Sequence, residues 1–149
     1  MLENLLTRLA GGFDARGPVF AASRCLSVDV THAAHPNYLE RHDPDHRTLP
    51  NQGPALKVNA IQRYATDAPG AAAWYRACRT ADVPTQVFVA KNTMPCGSTV
   101  GPITATRLGI RTVDVGIPVL SMHSARELCG VGDPGFLAAA ATAFLSDPR

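Results

Sequence analysis

Residues 55–90 read ALKVNAIQRYATDAPGAAAWYRACRTADVPTQVFVA, and this stretch decides the fold class. It opens with residues 55–60, where apolar and polar side chains alternate as they do on a half-buried strand. An Asp-x-Pro start signal and a run of alanines then predict a helix over 67–80. Residues 85–90 form a second apolar segment of strand length. A strand, a helix and a second strand in succession indicate an α/β protein.

The rest of the chain continues this alternation. Apolar spacing and turn residues predict further strands over 25–30 and 111–115, and further helices over 2–9 and 101–108, the second of which Gly109 ends. Ser124 and Glu127 have the spacing of a capping box, which predicts a helix that starts near Ser124. Asp133 and Pro134 predict the start of a last helix. We therefore expect a layered sheet with flanking helices, formed by residues 1–149 as a single unit.

Composition excludes several classes of protein. Hydrophobic residues make up 46% of the 149 residues and charged residues 17%, which is typical of a folded domain and not of a disordered chain. The net charge of +2 comes without a block of basic residues, so we expect neither nucleic acid nor a membrane surface as a partner. No apolar run is long enough to cross a bilayer, and the first residues do not resemble a signal peptide.

The four cysteines are scattered and form no C-x-x-C pair. Reduced thiols explain this spacing better than a disulfide framework or a zinc ribbon, so we expect a cytoplasmic protein.

Asp29, His32 and His35 form the first candidate site, because Asp29 lies at the end of a predicted strand and the two histidines follow it closely in the segment SVDVTHAAHPNY, residues 27–38. Open α/β sheets bind ligands beyond the carboxyl ends of their strands, so this group suits a metal or acid–base site. The alternative is an aspartate that caps a turn beside two surface histidines.

Three other residues are candidates, each with a structural alternative. His123 follows a predicted strand and suits a metal ligand, or else it is a packed or capping histidine. Cys96, in PCGST before a predicted helix, suits a nucleophile or else a tight turn. Lys57 lies among apolar strand residues, so it faces either an anionic ligand or the solvent at a sheet edge.

Six segments, in this order, resemble the aspartyl aminopeptidase family: SVDVTHAAHPNY, HRTLP, GPALKVNAIQRYAT, PCGSTVGPI, RLGIRTVDVG and LSMHSARE. The resemblance extends from about residue 23 to the end of the chain. It implies the carboxyl-terminal part of a zinc-peptidase catalytic domain, without the upstream part or the family's inserted dimerisation domain.

The resemblance also implies residue roles. Asp29 would bind one of two zinc ions and His123 the other, and His32 would contact the substrate beside the metals. Lys57 would bind the acidic side chain of the substrate, and Tyr64 would make another substrate contact. The expected substrates are peptides with N-terminal Asp or Glu, and the complete enzyme is expected to be a homo-oligomer.

Two kinds of departure from the family pattern matter. Thr93 replaces an aspartate, and Ile61 replaces a polar residue beside Gln62. The family's first histidine ligand, its bridging aspartate and its adjacent glutamate pair have no counterpart here, since no histidine precedes His32. A catalytic zinc takes about three protein ligands, and this chain supplies one good candidate for each ion.

Three functions follow from these observations. The leading one is a zinc aminopeptidase for N-terminal Asp or Glu, inactive as this 149-residue chain. The second is a non-enzymatic remnant or partner module of an aminopeptidase. The third is an unrelated cysteine hydrolase that uses Cys96.

Overall fold

A computed structural model describes residues 1–147 of the chain. Within that range the helices are α1 (Leu2–Leu9), α2 (Arg16–Ala22), α3 (Ala68–Thr80), α4 (Gly101–Leu108) and α5 (Asp133–Ser146). The strands are β1 (Arg24–His32), β2 (Ala55–Val58), β3 (Gln86–Val89), β4 (Arg111–Leu120) and β5 (Leu128–Cys129), and a short 3₁₀ helix spans Pro36–Arg41.

The strands form one mixed sheet in the order β1-β4-β2-β3. The outer pairs, β1 with β4 and β2 with β3, are parallel, whereas β2 and β4 run antiparallel in the middle. β5 pairs with the last residues of β4. The α/β fold class expected from the sequence is confirmed.

One face of the sheet carries the main hydrophobic core. Leu56, Val113 and Val115 pack there against Trp74 of α3 and Phe144 of α5, and all five are at most 4% exposed. Because side chains alternate along a strand, the intervening residues point to the other face. That second face includes Lys57 and Asp29, and it carries the candidate site.

The sequence predicted the ends of two helices from their chemistry. The Asp67 carboxylate caps α3 by accepting a hydrogen bond from the Gly70 N–H at 2.7 Å. Gly109 ends α4 with a φ of 66°, in the left-handed region that glycine adopts without strain. These local signals were correct because neighbouring residues satisfy them.

The helix predicted to start near Ser124 is wrong. The Glu127 carboxylate accepts a hydrogen bond from the His123 N–H rather than closing a capping box on Ser124. The chain must also reverse between the end of β4 and β5, because Val119 pairs with Cys129 in antiparallel register. A reversal this short leaves no room for a helix. Sequence reasoning also missed α2 and ended β4 five residues early.

No helix among residues 1–147 is long and apolar enough to span a bilayer.

Candidate active site

The second face of the sheet brings together the five residues that the sequence singled out as site residues. They line one cavity of about 140 Å³, which we call the inner cavity. They come from β1, β2, the segment after β2 and the turn after β4: Asp29, His32, Lys57, Tyr64 and His123. Residues up to 94 positions apart in sequence thus share one site.

Asp29 lies three residues before the end of β1, not at its end as the sequence suggested. Its carboxylate accepts a hydrogen bond from the Lys57 ammonium, with Nζ 3.0 Å from Oδ2. Burial alone would raise the pKa of Asp29. The Val30 N–H, the Lys57 ammonium and the charge of His123 outweigh it and hold that pKa below its usual value. Asp29 is therefore an anion at neutral pH.

Gly116 allows β4 to approach the β1 backbone closely beside this pair. It lies beside Asp29 in the β1–β4 register and beside Ala55 in the β2–β4 register. A Cβ atom on Gly116 would be 2.7 Å from the carbonyl carbon of Val30, so no larger residue fits between the strands.

Lys57 is a buried cation, only 3% exposed. β2 lies between β4 and β3, so the alternative of a solvated edge strand is wrong for this residue. The ammonium also lies 5.2 Å from the centre of the Tyr64 ring. A buried ammonium requires an anion, and here Asp29 supplies it.

Tyr64 and His32 are neutral hydrogen-bonding groups in this cavity. Burial, followed by the Cys96 thiol, raises the pKa of Tyr64, so the phenol keeps its proton. Burial and the charges of Lys57 and His123 lower the pKa of His32. A neutral imidazole and a neutral phenol are suited to orienting a polar ligand by hydrogen bonds.

His123 lies in the turn after β4, with a φ of 66°. Its backbone is held there by the hydrogen bond to Glu127, and its exposed side chain lines the inner cavity. It precedes a turn and β5, not the expected helix, yet the reversal still carries it to the same cavity as Asp29.

Asp114 supports the site, and the sequence analysis did not identify it. This fully buried carboxylate accepts hydrogen bonds of 2.6 Å from the Ala65 N–H and from the Thr99 hydroxyl. It thereby ties the segment after Tyr64 to the loop that precedes α4. A lone aspartate between two buried valines was the signal in the sequence, because an unpartnered charge is not left in a core.

The Cys96 thiol donates a hydrogen bond to the Gly97 carbonyl oxygen at 3.2 Å, and no bond to a histidine is among its described contacts. α4 begins only at Gly101, so Cys96 does not sit at a helix N-terminus. The two departures from the family pattern, Thr93 and Ile61, are both exposed.

The donor set fits zinc in part. The Asp29 carboxylate and the His123 imidazole are donors that zinc accepts, and both line the inner cavity. A catalytic zinc takes about three protein donors, however, and residues 1–147 form no group of three His, Cys, Asp or Glu side chains that would hold a metal ion. These residues do not complete a zinc site.

Comparisons with known proteins agree on one family. Residues 1–145 match the family model described as aminopeptidase I zinc metalloprotease (M18). A Streptomyces coelicolor protein named "Probable M18 family aminopeptidase 2" is 56% identical over 145 residues, which cover 97% of this chain and 34% of that protein. The chain thus spans about a third of the length of the curated relatives it matches.

Solved structures agree with this family. The structure of a complex of Ape4 and Nbr1 matches with a TM-score of 0.93 and 39% identity over 97% of this chain and 28% of that one. A dodecamer of mApe1 from S. cerevisiae matches with a TM-score of 0.82 and 32% identity over 97% of this chain and 32% of that one.

Proposed function

This chain belongs to the aminopeptidase I zinc metalloprotease (M18) family, and we propose that it forms the carboxyl-terminal part of an enzyme that releases N-terminal Asp or Glu from peptides. The observation that carries the substrate class is the buried ammonium of Lys57 in the inner cavity. If a zinc ion took Asp29 as a ligand, a substrate carboxylate would replace Asp29 as the partner of this ammonium, whereas an apolar side chain would leave the ammonium without a partner.

Each residue of the inner cavity has a role in this proposal. Asp29 and His123 would each provide one protein ligand to one of two zinc ions, and the remaining ligands would come from elsewhere in the family-length protein. Bound zinc would activate a water molecule and polarise the scissile carbonyl. His32 donates a hydrogen bond to the oxygen of that carbonyl, which its neutral state permits. Tyr64 borders the pocket for the acidic side chain and orients it beside Lys57.

We also propose a cytoplasmic location for this protein. The four cysteines are free, as is usual for a cytoplasmic protein. We propose a homo-oligomer for the complete enzyme, in keeping with the dodecamer of one structural relative.

A chimera tests this function. In it, this chain replaces the matching 145-residue part of the Streptomyces coelicolor relative, whose 56% identity favours compatible packing. We expect the purified chimera to bind zinc and to release aspartate from aspartyl-p-nitroanilide much faster than leucine from leucyl-p-nitroanilide. Activity should disappear with a chelator and return with zinc. Equal cleavage of the two substrates would overturn the proposed specificity.

The second candidate function is a non-enzymatic remnant or partner module, which the lack of a three-donor group in residues 1–147 favours. Zinc content distinguishes the two. A chimera that folds but holds no zinc would support the module, whereas about two zinc ions per chain would support the enzyme.

A further inference from the structure

A larger cavity of about 260 Å³ adjoins the inner cavity, and we call it the outer cavity. The two cavities share part of their lining, including His32, Phe88 and Pro95. A ligand that occupies the inner cavity and extends past His32 therefore enters the outer cavity. Its volume lies just below the range of about 300–1,000 Å³ that is typical of small-molecule pockets, which suits a ligand the size of an amino-acid residue.

The outer cavity is lined by cationic and imidazole side chains and by no carboxylate. Arg41 and Lys91 are the cations, accompanied by His32, His35 and His42, and no Asp or Glu is among the lining residues. The Glu40 carboxylate lies 3.9 Å from Arg41, in an exposed pair that solvent screens. The Lys91 ammonium donates one hydrogen bond to the Glu40 carbonyl and has two further protons to donate.

The aromatic and apolar lining completes the cavity. The Arg41 guanidinium lies 5.2 Å from the centre of the Tyr38 ring, and the His35 ring lies 5.0 Å from it. These contacts hold the cation at one side of the cavity. The remaining lining is largely apolar: Ala33, Phe88, Val89, Ala90, Met94, Pro95, Val119 and Leu120. The ligand class that matches both features has an apolar body and a carboxylate.

From this arrangement we infer that the outer cavity binds the residue that follows the scissile bond and recognises a carboxylate on it through Arg41 and Lys91. This inference rests on the proposed function, because it takes the inner cavity as the pocket for the N-terminal residue. The carboxylate has two chemical sources: the free C-terminus of a dipeptide, or the side chain of an acidic second residue.

Binding of blocked amino acids to the metal-free chain tests the inference without any cleavage. N-acetyl-leucine reproduces the acyl–NH group and α-carboxylate of such a residue, and N-acetyl-leucinamide lacks only the charge. N-acetyl-glutamate α-amide carries the charge on its side chain. We expect one or both acids to bind about tenfold more tightly than the neutral amide, as a charge-assisted hydrogen bond allows. The NMR signals of His42 and Ala90 should shift on binding.

Variants that remove charge test which side chains bind the carboxylate. Arg41→Gln with Lys91→Gln should abolish the preference for the acids, whereas Arg79→Gln, an equal change on the exposed end of α3, should leave it intact. Preference for N-acetyl-leucine assigns the C-terminal carboxylate, and preference for the glutamate derivative assigns the side chain. Equal affinity for acids and amide, or an undiminished preference in the double variant, would overturn the inference.

A kinetic measurement keeps the inference testable if the separate chain is too unstable for NMR. In the chimera, kcat/KM for Asp-Leu should exceed that for Asp-Leu-amide, and the Arg41 and Lys91 variants should remove the difference. A chimera that cleaves both peptides equally would overturn the outer-cavity inference and leave the aspartate specificity standing. If the chimera lost its aspartate specificity but still preferred Asp-Leu to its amide, the proposed specificity would be overturned and recognition of the carboxylate would stand.

Discussion

The contact between Lys57 and Asp29 joins two residues to which the family resemblance assigned separate partners. In this structure the buried ammonium balances the Asp29 carboxylate at 3.0 Å. A zinc ion on Asp29 would replace the ammonium as its positive partner, which would leave Lys57 to pair with the substrate carboxylate. One ion pair thus explains how a buried lysine is stabilised before any ligand arrives.

Replacing Lys57 by Met tests its role in selection. Methionine fills a similar volume without charge, so the variant chimera should lose kcat/KM for Asp substrates far more than for Ala substrates. An acidic side chain would lose about 1.5–3 kcal/mol of charge-assisted hydrogen bonding, or at least about tenfold in kcat/KM. Steady-state kinetics on the two substrate classes measure this. Equal losses on both classes would mean that the lysine is only structural.

Cys96 gives a second prediction about a single residue. Its thiol faces the Gly97 carbonyl rather than a base, so Cys96→Ser in the chimera should retain most activity. The result that would revive the cysteine hydrolase is a folded, zinc-loaded variant with no turnover.

His42 should make stability depend on pH. Burial, repulsion from His32 once that imidazole is protonated, and the charge of Arg47 lower the pKa of His42 below the usual 6.5, so the unfolded chain binds this proton before the folded chain does. The stabilisation is complete above about pH 6.5 and is lost as the pH falls through the folded-state pKa. His42→Gln should therefore show a smaller drop in Tm between about pH 7.5 and 5.5 than the unchanged chain. An identical drop would contradict this.

Among the helices and strands, the features that the sequence predicted correctly are those that neighbouring residues determine. The Asp67 cap, the Gly109 stop and the strand at β2 were predicted from residues within a few positions, and the structure contains all three. The spacing of Ser124 and Glu127 is equally local, yet pairing of β5 with β4 overrides it. The local signal therefore failed where long-range strand pairing determined the structure.

The site shows the same limit. Sequence motifs identified the residues of the inner cavity, but the contact of Lys57 with Asp29 depends on strand order, which no local pattern encodes. The support from Asp114 depends on a loop that lies fifteen positions away in sequence at Thr99.

Asp133 supplies a prediction about how elements are joined. Its buried carboxylate accepts hydrogen bonds from the backbone N–H groups of Asn51, Gly53 and Gly130, so it links the loop before β2 to the start of α5. Asp133→Asn would turn a side-chain amide N–H donor towards these backbone N–H donors. The substitution should therefore lower the free energy of unfolding by about 2–3 kcal/mol.

Denaturant unfolding measures that loss. The matched control is Asp82→Asn, at an exposed turn position with a φ of 52° that asparagine tolerates, and it should change stability by less than about 0.5 kcal/mol. A cost for Asp133→Asn no larger than the control's would show that the link is dispensable.

The molecule as a whole has exposed apolar surface in addition to an incomplete zinc site. β1 is at one end of the sheet and pairs with β4 among the described strands. Large apolar side chains on α1, α2, β1 and α4 are 44–74% exposed: Leu2, Leu5, Leu9, Val19, Val28 and Ile103. An open strand edge and an apolar surface favour association with other chains.

We therefore predict that the isolated 149-residue chain has no aminopeptidase activity and self-associates. Asp29 and His123 give each zinc ion one protein donor where about three are needed, so the chain should bind zinc weakly. Loss of a general base by itself lowers a rate by about 10²–10⁴-fold. Metal analysis, light scattering and an aspartyl-p-nitroanilide assay check the three parts, with the chimera as positive control. Zinc-dependent release by the pure chain would show that its own residues complete the metal site, which would contradict both the donor count and the roles proposed for Asp29 and His123.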